Sequence, residues 1–153
     1  MNVYQRLKDL GIELPQASKA MGLYAPVKIS GNMAYLSGQG PMKDGKFLCT
    51  GKVGGDVTVE QAREGARQTA INILAALHDY LGDLNKVKSV VKLLGFVASV
   101  DGFNEQPAVI NGASEVFIDV FGEDGRHARS AVGVSELPGG MSVEIESIFE
   151  IIV

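Results

Sequence analysis

Between Thr58 and Gly82 the chain reads TVEQAREGARQTAINILAALHDYLG, and no other stretch constrains the fold as much. Thr58 followed by Gln61 has the spacing of a capping box, in which the hydroxyl and the amide side chain each satisfy an orphan backbone N–H. Ala62, Ala66, Ala70, Ile73, Leu74, Leu77 and Leu81 recur at intervals of three and four, which lays an apolar stripe along one helical face. The first half of that stripe is alanine alone, so its partner must approach closely. Gly82 ends the helix.

The C-terminal segment sets a second condition. As a strand, Met141 to Val153 sends Val143, Ile145, Ser147, Phe149 and Ile151 one way and Glu144, Glu146, Ile148, Glu150 and Ile152 the other. Both faces carry apolar residues, so neither is a simple solvated face. Upstream, VKIS, the turn dipeptide Gly31-Asn32 and MAYLSG predict a hairpin whose second strand carries Tyr35 and ends at Ser37-Gly38-Gln39-Gly40. Gly45 to Val53 predicts a third, shorter strand, and the β-branched run from Lys86 to Val100 another. A second helix is expected from near Asn104, with Pro107 in its first turn, Val109, Ala113, Val116, Phe117 and Val120 inward and a stop at Gly122. Ala128 to Val134 and Met141 to Val153 read as strands joined by Leu137-Pro138-Gly139-Gly140. The order β-β-β-α-β-α-β predicts an α+β fold with two helices on one face of a mixed sheet. The other face would lie bare unless it met another subunit, so an oligomer is expected. Val3, Leu7 and Leu10 share one face of a short N-terminal helix stopped by Gly11, suited to docking as an arm.

At 153 residues the chain is the size of one domain, and it contains no repeat or low-complexity tract. The net charge is −4 with Lys and Arg scattered, so the basic stripe that neutralises phosphates is missing and no nucleic-acid partner is expected. One cysteine, Cys49, and two histidines rule out an internal disulfide and a multi-thiolate metal site, and point to a reducing compartment. The N-terminus lacks an apolar core of the signal-peptide kind, and no run approaches membrane-spanning length. A cytoplasmic protein without a membrane partner is the expectation.

Familiar catalytic motifs are missing: no G-x-S-x-G elbow, no Walker loop, no H-E-x-x-H. His78, on the polar side of the long helix, and His127, in a loop before a strand, read as solvated or capping histidines, and Cys49 as a packing residue. The informative segment is Ala128-Arg129-Ser130-Ala131-Val132-Gly133-Val134. An arginine set among small and apolar neighbours is either the partner of a structural carboxylate or a fork for a ligand anion, since its two parallel donors match a carboxylate. Gly38, in a strand-end loop without Cβ atoms, can bring backbone close to a ligand or can simply end the strand. Glu144 and Glu146 share a strand face, where apolar surroundings raise a carboxyl pKa into a range useful for proton transfer, although solvation is the default for strand glutamates. Tyr24, in a loop, and Asn111, on the second helix, are ambiguous on their own.

SGQGPM at 37–42, NGASEVF at 111–117 and above all ARSAVGVSELPGGMSVEIESIFEI at 128–151 resemble the Rid (reactive intermediate deaminase, YjgF-like, endoribonuclease L-PSP-like) family. Residues 1–153 are read as a single Rid-like domain, of which the resemblance covers 18–153, with the arm at 1–17 outside it. It implies a chorismate-mutase-like fold, a homotrimer whose sheets curl into a central barrel, and ligand clefts between subunits. It further implies that Arg129 binds a substrate carboxylate, that Gly38 and Ala131 flank the reacting group with their backbones, that Glu144 positions or activates water, and that Tyr24 and Asn111 line the cleft. The implied reaction hydrolyses a 2-imino acid, or its enamine tautomer 2-aminoacrylate, to a 2-keto acid and ammonia, with no metal or organic cofactor. Ala131 stands where a cysteine is common in the family, and Arg126-His127 replaces a proline-containing turn. Two other functions compete: a trimeric carboxylate-binding or chaperone-like protein without turnover, and an endoribonuclease, which the acidic composition disfavours.

Overall fold

A computed structural model describes residues 2–153. Helix α2 (Val59–Leu81) is capped as its sequence requires: Gln61 N donates to Thr58 Oγ1 at 3.1 Å and Thr58 N to Gln61 Oε1 at 2.9 Å. Such a box stabilises a helix start by about 1 kcal/mol. At the far end Gly82 turns to φ 76°, left-handed backbone that a side chain resists. The small-residue half of the stripe lets α3 (Gln106–Phe121) approach so closely that a Cβ on Gly112 would run into the Arg63 carbonyl. Pro107 lies in the first turn of α3 and Gly122 closes it.

Five strands form one sheet in the order β1 (Val27–Ser30), β2 (Met33–Gln39), β7 (Val143–Ile151), β5 (Val87–Ala98), β6 (Ala128–Val134). β5 and β6 run parallel, connected through α3, and the remaining pairs are antiparallel, so the sheet is mixed. α2 and α3 pack on one face. Beneath them Val143, Ile145, Ser147, Phe149 and Ile151 are all buried, the alternation the last strand's sequence predicts. Ser147 Oγ lies in that core with no hydrogen-bond partner. The opposite face is uncovered in the single chain, with Tyr35 44% and Val132 41% exposed on it.

The expectation of a strand over residues 45–53 is corrected. The chain forms a separate tight hairpin, β3 (Met42–Lys43) and β4 (Lys46–Phe47), outside the main sheet. Asp44 at φ 52° and Gly45 at φ 82° reverse the chain there, and Gly51 at φ 105° breaks the extended run that follows. Only isolated bridges remain: Thr50 to Met141, and Val53 to Val57 and Ser99.

The N-terminal helix α1 (Val3–Asp9) docks as an arm, burying Val3 and Leu7. His78 holds it. Its Nδ1 lies 2.9 Å from the Tyr4 hydroxyl, which also accepts from Leu84 N at 2.7 Å. The solvated or capping role expected of His78 therefore gives way to a docking contact, because α1 packs against α3 and the 3-10 turn Leu84–Lys86 that follows α2.

Candidate functional site

Arg129 stands on β6, an edge strand, with its side chain on the helix-covered side of the sheet. From there Nη1 donates to Asn111 Oδ1 at 2.7 Å and to Ser114 Oγ at 3.1 Å, both on α3. Asn111 and Ser114 are three residues apart, so one helical face presents both acceptors. Among the described residues no carboxylate pairs with Arg129. Of the two readings of this arginine, the structural ion pair therefore lacks its partner. Burial lowers the guanidinium pKa from a value so high that the cation persists. Because both bonds leave from Nη1, Nη2 and Nε stay available as a two-donor fork. Ala131 follows on the same side of β6, partly buried.

Two residues absent from the sequence reading of the site belong to this cluster. His127 Nε2 lies 2.9 Å from Ser114 Oγ, and His127 Nδ1 lies 2.8 Å from the Gly125 carbonyl oxygen. His127 thus caps the 3-10 turn Gly122–Gly125 through its last carbonyl, as expected of it, and in addition joins the Arg129 cluster through Ser114. Strand alternation carries the signal that would have found it, since positions 127 and 129 point the same way. Burial lowers the His127 pKa; the bond to Gly125 raises it and the Arg129 charge lowers it again.

A second cluster surrounds Glu144 on β7, on the open face. The β2–β7 register shifts between Leu36 and Gln39, and Gly38 lies against the carboxylate there: a Cβ on Gly38 would fall 2.5 Å from Glu144 Oε2. Burial raises the Glu144 pKa, and the neighbouring Glu146 charge raises it further. Tyr24 is exposed in the loop that enters β1, its hydroxyl accepting from Met21 N at 3.2 Å. That loop is tied to the same strand end, with Ser37 N donating to Pro26 O at 3.0 Å and Ser37 Oγ to Ala25 O at 2.7 Å.

The fold gathers these residues into two half-sites and keeps them apart. In the sheet register Arg129 lies opposite Leu93 and then Ser147, whereas Glu144 lies opposite Phe96 and then Val132. Two strand spacings and three residues separate Arg129 from Glu144, on the order of 14 Å, with the side chains on opposite faces. Two cavities among the described residues leave them unjoined. The larger, about 1230 Å³, lies between the arm, α2 and the β3–β4 turn, beside Tyr4, Ile12 and Arg67. The smaller, about 300 Å³, sits on the open face beside Tyr35, Lys92 and Glu146. Among the described residues no three His, Cys, Asp or Glu side chains are grouped to hold a metal ion.

Residues 4–142 match a family described as YjgF/chorismate-mutase-like, a description that also names an endoribonuclease. Protein TCP17 of Trypanosoma cruzi is 43% identical over 97% of this chain and 94% of its own length. The 2-iminobutanoate/2-iminopropanoate deaminase of Dermatophagoides farinae is 34% identical over 90% of this chain and 92% of its own. A crystal structure of Atu1372, a protein of unknown function from Agrobacterium tumefaciens, superposes with a TM-score of 0.90 at 52% identity, covering 99% of this chain and 92% of that one.

Proposed function

Because this chain belongs to the YjgF/chorismate-mutase-like family, we propose that it hydrolyses 2-imino acids and their enamine tautomers to 2-keto acids and ammonia, in a cleft formed where two copies meet. The observation that carries the reading is the state of Arg129: a partly buried guanidinium, oriented by the neutral acceptors of Asn111 and Ser114, with its fork unspent. A relative with the deaminase activity at 34% identity supports the same reaction class. The separation of the half-sites, Arg129 on the edge strand β6 and Gly38–Glu144 on the inner strands β2 and β7 with Glu144 on the other face, supports a homotrimer with a central barrel, in which the Arg129 side of one copy faces the Gly38–Glu144 cluster of the next and the open sheet faces are covered.

In this mechanism the substrate carboxylate sits on the Arg129 fork, which cancels its charge and orients the neighbouring iminium carbon. That carbon is already electrophilic. Glu144 of the adjoining copy takes a proton from water as the water oxygen bonds to carbon and the C=N pair moves to nitrogen. The proton then passes to that nitrogen, the C–N bond breaks, the hydroxyl proton goes to Glu144 as the ketone forms, and Glu144 hands it to the departing ammonia and is ionised again. Iminium acid and water thus become keto acid and ammonium, with atoms and charge conserved. Burial and the neighbouring Glu146 charge raise the carboxyl's pKa, which favours its taking up and giving back a proton. The backbones of Gly38 and Ala131 flank the reacting group, and Tyr24 and Asn111 line the cleft.

Keto-acid release from enzymatically generated 2-aminoacrylate and from a longer-chain imine, measured against the uncatalysed background, tests this reading. The wild type accelerates release, and Arg129→Ala loses about a hundredfold or more in kcat/KM, as removal of a bidentate ionic contact implies. No acceleration with either imine would instead make the chain a carboxylate binder without turnover.

A further inference from the structure

We infer that His127, acting through Ser114, positions the Arg129 guanidinium for carboxylate capture, a role that deepens the deaminase reading and rests on it. The assignment follows from donors and acceptors along one chain of contacts. Arginine has only N–H groups, so at 3.1 Å from Arg129 Nη1 the Ser114 oxygen must accept. The Gly125 carbonyl oxygen, 2.8 Å from His127 Nδ1, can only accept, so the imidazole proton sits on Nδ1. A neutral ring then leaves Nε2 an acceptor, 2.9 Å from the Ser114 oxygen, for the hydroxyl's one proton. Each link has a single direction when the ring is neutral. The Ser114 hydroxyl, held at both ends, becomes a fixed acceptor that keeps Nη1 turned inward and Nη2 and Nε outward.

The surrounding packing is built for that ring. Gly125 approaches α3 so closely that any Cβ would collide with the Phe117 carbonyl, which brings its own carbonyl to the imidazole. The Phe117 ring meets the imidazole edge to face at 6.2 Å. Around it stand Glu115 and Asp119 on α3, Glu123 and Asp124 in the preceding 3-10 turn, Lys92 on β5, Arg126 and Arg129; Glu115 is paired with Arg63 and Glu123 with Arg126, and the charge that acts on His127 is that of Arg129. A second positive charge on the ring would reverse its bond to Ser114 and strand the hydroxyl proton between two cations, so the neutral tautomer is the positioning form.

Two measurements test this on the full-length protein. In long-range proton–nitrogen NMR spectra of histidine-labelled protein near pH 7, His127 shows the neutral Nδ1–H tautomer, and Ser114→Ala lets the Nε2–H tautomer appear. An Nε2–H ring or an imidazolium in the wild type overturns the proposal. Titration with pyruvate, as a stable 2-keto acid, reads the consequence. Ser114→Ala and His127→Ala each weaken binding by about tenfold, the worth of one hydrogen bond to a charged group. The double variant is no weaker than either single one, and His127→Gln, whose amide oxygen supplies the acceptor, restores affinity to within about twofold. Affinity unchanged in His127→Ala, or losses that multiply, removes the role. Should the wild type bind no pyruvate at all, the deaminase reading falls, and the relay stands or falls on the tautomer alone.

Discussion

At the scale of single residues, two carboxylates and one hydroxyl show what burial does to a polar group. Glu144 has a raised pKa first because it is buried and second because Glu146 stands beside it. If ionised Glu144 is the base, activity climbs as pH rises through that raised value. Glu146→Gln removes the repulsive part, so the acid limb of the kcat/KM profile moves to lower pH. Desolvation remains, so the limb does not fall back to the position of an ordinary carboxylate. A limb that stays in place would separate Glu146 from the proton-transfer group. Ser147 makes the opposite point, a polar atom in the core with nothing to bond. Ser147→Ala should stabilise the fold by about 1 kcal/mol in urea unfolding, since an unsatisfied hydroxyl is desolvated without return.

At the scale of elements, close approach of α2 and α3 decides where Arg129 can reach. α3 supplies both acceptors for its guanidinium, and α3 sits where it does because Gly112 lies directly under the Arg63 carbonyl. A methyl at that position has no room. Gly112→Ala should cost about 2 kcal/mol of stability even though alanine favours helix, because overpacking outweighs propensity. Thermal melts alongside pyruvate titration read both effects: the Tm falls, and affinity falls with it as α3 shifts away from β6. A variant that melted like the wild type would mean that the helix pair has slack which its packing does not suggest.

At the scale of the whole molecule, the separation of Arg129 from Glu144 by two strands and by the sheet itself is the governing fact. The proposed site, divided in this way, is one that two copies can complement. Arg129→Ala and Glu144→Ala, each inactive alone, should regain a fraction of wild-type kcat/KM when unfolded together and refolded as mixed oligomers, because some clefts then hold both intact residues. Mixtures as inactive as their parents would place both residues in one copy's site or remove them from catalysis. Much of this molecule was written in the chain itself: the α2 capping box, the Gly82 stop, the Pro107 entry to α3 and the buried alternation of β7 all follow from contacts within a few residues. So did Arg129, conspicuous as the one cation among small neighbours. Local pattern misled where chain reversal competed with extension, and Asp44-Gly45 folded a would-be strand into a separate hairpin. Tertiary structure alone decided that Ser114 joins Arg129 and His127, that His78 anchors the arm, and that Glu144 lies beyond the reach of Arg129. Those outcomes depend on sheet order and helix spacing, which are set by long-range burial, and a periodicity read along the chain carries no term for which distant elements come to lie side by side.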